Sequence, residues 1–185
     1  MPHSQPILVA GLESLLFDEA VEASRLAATA TAPREEGAKA MMSIILAVAA
    51  VEAQTGIWAA IFGTDYQIDS HTLRRWRRRA PQDILKEIFA RLKPPITVAN
   101  VTWYNHLCAI VALRNHVAHY FPEFRTPGTW PDALKGYITN GTFRPTGDDT
   151  MDWTSRILVA PVSSQVVDYA REIMDGFVSI AWRPA

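Results

Sequence analysis

Residues 38–50 read AKAMMSIILAVAA, and this stretch decides the fold class. It is apolar on nearly every side of a helix, and it continues as Val51-Glu52-Ala53-Gln54. A helix that lacks a polar face belongs at the centre of a bundle, where neighbouring helices cover it. The stretch therefore predicts an all-α protein built around a helix over about 34–62, which ends at Gly63, Thr64 and Asp65.

The segments on either side carry one apolar stripe each, at three- and four-residue spacings. These stripes delimit the remaining helices, together with prolines at their starts and ends and with Asp69 or Ser70 as an N-cap. These are predicted over about 11–30, 70–79, 82–93, 101–120 and 162–182. The sum is a helical bundle of five to six helices.

Residues 121–160 differ in composition from the rest of the chain, with four prolines and four glycines. Asn140-Gly141 lies between β-forming residues, a pattern that predicts a β-hairpin over 137–143. Residues 156–159 are either a short strand or a packed lead-in to the last helix. We therefore expect a single domain over 1–185, with a Pro/Gly-rich loop and hairpin insertion at about 121–160.

Composition narrows the functional classes. The 185 residues carry 18 basic and 19 acidic side chains, a net charge of −1, so a binding site for anions must come from local clustering. A single cysteine, Cys108, excludes an internal disulfide and a multi-cysteine zinc site. The longest apolar run, 41–51, is too short to cross a bilayer, and residues 1–6 do not resemble a signal peptide. We expect a cytoplasmic protein without a membrane partner.

The segment Arg114-Asn115-His116-Val117-Ala118-His119 combines residue types that suit phosphate chemistry. A guanidinium offers fixed donors that match phosphate oxygens, and an imidazole exchanges a proton near neutral pH. Asn115 and His119 share a helix face, whereas Arg114 lies about 140° from His119 around the helix. Because an arginine side chain is long enough to turn toward that face, the three residues are expected to form one site.

Arg114-Asn115 followed by His119 resembles the Arg-x4–6-His signature of the HEPN superfamily, whose members are small all-helical domains. In that family a polar residue commonly follows the arginine, as Asn115 does here. The resemblance implies a homodimer whose two motif helices meet across the two-fold axis, acting as a metal-independent endoribonuclease without a cofactor. It also implies a toxin or defence component, with an antitoxin protein as its partner.

The resemblance assigns a role to each residue of the motif. His119 would be the general acid or base, Arg114 the phosphate clamp, and Asn115 a residue that orients either. The implied reaction is attack of a ribose 2′-OH on the adjacent phosphodiester of an RNA substrate. The alternatives are a non-catalytic HEPN-like module for dimerisation or RNA binding, and a helical interaction protein in which Arg114 and His119 are structural.

Glu52 lies in the helix at the predicted centre of the bundle. A buried carboxylate costs several kcal/mol unless a cation meets it. We therefore predict that Glu52 contacts Arg114 and orients its guanidinium from the second shell of the site. The alternative is that Glu52 lies where the bundle widens and reaches water.

The strongest basic patch of the sequence consists of Arg74, Arg75, Trp76, Arg77, Arg78 and Arg79. Such a patch can follow an RNA backbone while its tryptophan stacks on a base. The alternative is a solvated helix turn in which Trp76 packs inward and the arginines pair with acidic residues. The two interpretations stay open at this point.

Two further clusters are weak candidates for a metal site. His106, Cys108, His116 and His119 do not share one helix face, so they do not form a zinc site. Asp148, Asp149 and Asp152 lie in a Gly/Thr-rich loop, where carboxylates are ordinarily solvated. Since the sequence also lacks the glycine-rich phosphate loops of nucleotide-binding enzymes, we expect neither a metal nor a cofactor.

Overall fold

The computed structural model describes residues 11–119 and 127–181. Within these ranges the chain is all-helical and contains no strand. The helices described are α1 (Leu12–Thr29), α2 (Pro33–Asp65), α3 (Ser70–Trp76), α4 (Pro81–Arg91), α5 (Tyr104–Ala118), α6 (Asp132–Thr139), α7 (Trp153–Ile157) and α8 (Ala160–Ala181), with a 3₁₀ turn at Val98–Asn100 before α5. The all-α prediction is confirmed, and the described helices outnumber the five to six expected because α6 and α7 lie where the insertion was predicted.

Helix α2 is the centre of the bundle, as its composition predicts. It packs against α1, α3, α4, α5 and α8, and its side chains Ile44, Ala47, Val48 and Val51 are buried. At 33 residues it is about 50 Å long. One helix therefore connects parts of the molecule that are far apart in space.

Small residues let α1 and α2 pack closely as an antiparallel pair. Ala20, Ala23 and Ala27 of α1 are buried, and the Ser43 hydroxyl of α2 donates to the carbonyl oxygen of Ala20 at 2.9 Å. Because that hydroxyl has a backbone acceptor, its burial costs little. The hairpin thus forms a rigid support for α8, which packs on both helices.

Side chains fix two of the helix starts that the sequence leaves approximate. The Asp69 carboxylate accepts from the backbone N–H groups of His71 and Thr72, which confirms it as the N-cap of α3. Glu36 of α2 accepts from the backbone N–H of Ala160 at 2.9 Å, so a residue 124 positions away caps α8. The predicted ends of two helices, Tyr120 and Trp182, lie outside the described residues.

The predicted β-hairpin over 137–143 is wrong. Residues up to Thr139 form α6, which ends in Asn140 and in Gly141 at a φ of +77°. A glycine with a left-handed backbone ends a helix as readily as it forms a hairpin turn. An Asn-Gly pair is therefore compatible with either structure. The Asn140 side chain then accepts from the backbone N–H of Thr142 at 3.0 Å.

The short strand considered for 156–159 does not form either. Residues Trp153–Ile157 form α7, because the Asp152 carboxylate caps the backbone N–H groups of Thr154 and Ser155. Leu158 and Val159 then lead directly into α8. The alternative interpretation, a packed lead-in, describes them well, since Ile157 and Val159 are buried.

Helix α2 is long and apolar enough to cross a membrane by length and composition. This corrects the conclusion drawn from the run 41–51, because the helix continues past Glu52 through a second apolar stretch to Phe62. Such a helix is weak evidence for a membrane, since the central helix of a bundle passes the same test. The cytoplasmic location stays a prediction.

Candidate active site

The motif residues lie together at the C-terminal end of α5. His119 is the C-cap of this helix, and its backbone N–H donates to the carbonyl oxygen of Asn115 at 3.0 Å. The side chains of Asn115 and His119 are exposed, and that of Arg114 is 24% exposed. Asn115 and His119 are therefore open to solvent, and Arg114 is partly open.

The predicted contact between Glu52 and Arg114 is confirmed. Nη2 of Arg114 donates to Oε1 of Glu52, and this ion pair joins α5 to α2 across 62 residues of sequence. The Glu52 side chain is 35% exposed, so it meets a cation and also reaches solvent. The guanidinium is thereby held in place from one side only.

The environment of Glu52 disfavours its charged form. Burial raises the pKa of the Glu52 carboxyl, and the charge of Arg114 offsets only part of this effect. The Nε atom of Arg114 is itself buried and has no hydrogen-bond partner within the described ranges. Glu52 therefore satisfies only part of the donor set of Arg114.

An exposed apolar stripe on α2 runs up to this site. Met41, Met42 and Ile45 are exposed, although they belong to the central helix of the bundle. Ala49 and Glu52 follow Ile45 at four- and three-residue spacing, which places them on the same face of α2. The ion pair therefore lies at the end of a surface whose apolar side chains remain in contact with solvent.

The arginine-rich segment has a structural core. Trp76 is 1% exposed and packs against Phe62, with ring centroids 6.4 Å apart. A base cannot stack on a ring that is buried, so the prediction that Trp76 stacks on RNA is wrong for this structure. The interpretation in which Trp76 packs inward describes it instead.

Three arginines around Trp76 share one carboxylate. Glu87 of α4 accepts from Arg75 and Arg79 at 2.7 Å each, and it pairs with Arg91 at 2.8 Å. Burial raises the pKa of the Glu87 carboxyl, but its hydrogen bonds and the charges of Arg91 and Arg75 outweigh this effect and lower it overall. Glu87 thus fixes α3 against α4, which removes Arg75 and Arg79 from the set of free cations.

The other three arginines of the segment remain available. Arg74, Arg77 and Arg78 are exposed, and none forms an ion pair with a carboxylate of the described ranges. Arg74 donates to the carbonyl oxygen of Ser70 at 3.2 Å. The predicted RNA-contacting set therefore divides into a structural half and an exposed half.

The weak metal candidates have other partners. Nδ1 of His106 lies 2.8 Å from Oε2 of Glu172, His116 packs edge-on against Trp153, and Asp149 pairs with Arg156 at 2.7 Å. Across residues 11–119 and 127–181, no three histidine, cysteine or acidic side chains are grouped to hold a metal. Cys108 is half-buried, and burial raises the pKa of its thiol.

Sequence reasoning missed the carboxylate of Glu87 and the pairing of His106 with Glu172. One signal for Glu87 was present, since Glu87 and Arg91 are four residues apart on one helix. The contacts with Arg75 and Arg79 depend on how α3 packs on α4. No local pattern links His106 to Glu172, because 66 residues separate them.

Comparisons of the chain with protein-family models, with curated proteins and with solved structures found no match.

Proposed function

We propose that this protein is a metal-independent endoribonuclease of HEPN type, whose site is formed by Arg114, Asn115 and His119 from two copies of the chain. The observation that supports it most is the placement of these residues. Glu52 holds the Arg114 guanidinium at the end of α5, while His119 and Asn115 are exposed at the same end. A purely structural arginine and histidine would be buried, with every donor satisfied by the same chain.

The chemistry follows from these groups. An imidazole takes the proton of the ribose 2′-OH, the oxygen attacks the phosphorus, and the 5′-oxygen leaves with a proton from a second imidazole. The products are a 2′,3′-cyclic phosphate and a 5′-hydroxyl. Arg114 stabilises the negative charge that grows on the phosphoryl oxygens. Glu52 is a positioning residue, because it acts on the phosphate only through Arg114.

A second copy of the chain supplies the second imidazole. The exposed stripe of Met41, Met42 and Ile45 on α2 supports a homodimer, since apolar surface of this kind is favourably buried against a partner. The stripe leads to Glu52, and we propose that the two copies pack on it in an orientation that brings their Arg114 side chains toward each other. The exposed Arg74, Arg77 and Arg78 are proposed to contact RNA phosphates.

The Glu52–Arg114 ion pair also favours a second candidate function, a non-catalytic module for dimerisation or RNA binding. A carboxylate that occupies the guanidinium competes with a phosphate for it. In this alternative, Arg114 joins α5 to α2 and His119 has no chemical role. The toxin role and an antitoxin partner belong to the first proposal.

The test is cleavage of RNA by the purified full-length chain in EDTA, with sedimentation to measure its oligomeric state. We expect a dimer that cleaves RNA to cyclic-phosphate ends. His119→Ala should lower the rate by about 10²–10⁴, the range of general acid–base catalysis. His71→Ala is the matched control, because His71 is exposed on α3 and lies outside the motif.

The outcomes separate the candidates. Equal cleavage by His119→Ala and by the unchanged chain removes His119 from the mechanism. RNA binding that depends on Arg74, Arg77 and Arg78, without cleavage, supports the module instead. A monomer that neither binds nor cleaves RNA contradicts both.

A further inference from the structure

A cavity of about 160 Å³ lies between the C-terminal part of α2, α4 and α8, apart from the proposed active site. Its walls include Trp58, Phe62, Tyr66, Phe89 and Phe177. For comparison, an apolar cavity of about 150 Å³ in another protein is large enough to bind benzene. The cavity is therefore of the size of one aromatic ring.

The aromatic walls support one another. Trp58 and Phe177 have ring centroids 4.9 Å apart, and Phe62 stacks on Tyr66 at 4.0 Å. Phe89 is fully buried and lies 6.1 Å from Phe177. Walls that are packed in this way form the cavity before a ligand arrives, which lowers the entropic cost of binding.

Among the described residues that line the cavity, one carries a formal charge, and that charge is negative. Asp65 lines it, is exposed, and forms no ion pair with any cation of the described ranges. Asp65 is also the last residue of α2, where the helix dipole adds negative potential. Aromatic faces attract cations as well, so the charge, the dipole and the rings all favour a positively charged group.

A second observation concerns a hydrogen-bond donor. The indole Nε1 of Trp58 is buried and has no acceptor within residues 11–119 and 127–181. Because the Trp58 ring lines the cavity, the environment of this indole N–H changes when a ligand ring binds there, and the N–H reports on the site.

We propose that this cavity is a binding site for a protonated arylalkylamine. The ring of the ligand lies among Trp58, Phe89 and Phe177, and its ammonium group lies at the mouth beside Asp65. The site goes beyond the proposed ribonuclease function and does not depend on it. An amine of this kind is charged at neutral pH, since alkyl ammonium groups lose their proton only near pH 10.

The experiment is a titration of the ¹⁵N-labelled full-length chain with phenethylamine, followed through the indole N–H signal of Trp58. Trp58→Phe identifies that signal. We expect saturable shifts with a dissociation constant on the order of 1 mM, as befits a ligand of this size. 3-Phenylpropionate, which has a similar shape and the opposite charge, should produce no saturable shift.

Two variants test the role of the carboxylate. Asp65→Asn keeps the shape of the side chain and should weaken phenethylamine binding about tenfold. Ile61→Lys places an ammonium four residues before Asp65 on the same helix, where it should pair with Asp65 and weaken binding as well. Asp18→Asn is the matched control, because Asp18 is exposed on α1 and lies outside the cavity.

Three results would overturn the proposal. The first is a Trp58 signal that does not move at phenethylamine concentrations well above the expected dissociation constant. The second is equal binding of phenethylamine and 3-phenylpropionate, and the third is equal binding of phenethylamine to the unchanged chain and to Asp65→Asn. Either of these equalities would show an apolar cavity with no preference for amines.

Discussion

Glu52 and Glu87 each hold arginine side chains, but their surroundings have opposite effects on the two carboxyl groups. Burial raises the pKa of Glu52, which pairs with Arg114 alone among the cations of the described ranges. The pKa of Glu87 is lowered, because its hydrogen bonds and the charges of Arg91 and Arg75 outweigh burial. In the Glu52–Arg114 pair, one buried N–H donor of Arg114 has no acceptor among the described residues. Around Glu87, by contrast, three positive charges surround one negative charge.

The comparison shows that a high density of arginines does not by itself mark a functional surface. The segment 74–79 has five arginines, yet two of them are joined to Glu87 above a buried tryptophan. Arg114 is one residue on another helix, yet it lies on the last turns of α5, which end at the exposed His119. What distinguishes Arg114 from Arg75 and Arg79 is the number of buried guanidinium N–H donors that remain without an acceptor in the described part of the protein.

The largest expected effect tests the structural role of the arginine-rich segment. Trp76→Ala should lower the free energy of unfolding by about 3–5 kcal/mol, because it leaves a cavity beneath α3. Urea denaturation followed by circular dichroism measures this loss. Arg77→Ala, the matched control at the next residue, should change stability by less than about 0.5 kcal/mol. Similar effects for both variants would contradict the inward packing of Trp76.

The next effect separates the two arginine sites by activity. Arg114→Ala should lower the rate of RNA cleavage about 10²-fold or more, through loss of charge stabilisation at the phosphate. Arg79→Ala, which removes a guanidinium paired with Glu87, should change the rate by less than about threefold. Because Arg114→Ala leaves Glu52 without its cation, the double variant Arg114→Ala/Glu52→Gln serves as the folded reference. A fully active double variant would exclude Arg114 from catalysis.

The smallest expected effect is on the pH dependence of stability, which should differ between Glu87 and Glu52. The Glu87 pKa lies below its ordinary 4.5, so its charge contributes stability above pH 4.5 that is lost as the pH falls through the folded value. Glu87→Gln should therefore destabilise the protein by about 1 kcal/mol at pH 7 and by less near pH 3. Thermal unfolding as a function of pH measures both.

Glu52→Gln should behave in the opposite way. The Glu52 pKa lies above 4.5, so its contribution to stability is greatest below pH 4.5 and declines as the pH rises through the folded value. The variant should be as stable as the unchanged chain at pH 7, or slightly more stable. A loss at pH 7 equal to that of Glu87→Gln would show that the two carboxylates have the same role.

The sequence predicts those features that local physical chemistry determines. A helix without a polar face has to be central, and α2 is. A carboxylate in such a helix needs a cation, and Glu52 contacts Arg114. In both cases one large energetic cost, exposed apolar surface or an unpaired buried charge, can be avoided in few ways. The sequence pattern is therefore sufficient to predict the contact.

Other features depend on tertiary packing and could not be derived in this way. Asn140-Gly141 requires a left-handed backbone in a hairpin and at a helix end alike, so the pair does not distinguish them. The inward position of Trp76 depends on how a helix of seven residues packs on α2, and seven residues are too few to establish a helical period. The cavity at Trp58 needs side chains from three helices.

The length of α2 has a practical consequence for measurement. Glu52 and Asp65 are 13 residues apart on this helix, which separates them by about 20 Å along its axis. An amine bound beside Asp65 and an RNA phosphate bound beside Arg114 would therefore not touch, so each can be titrated with the other absent or saturating. Gly56 lies between the two positions on the helix, with open space beside its Cα.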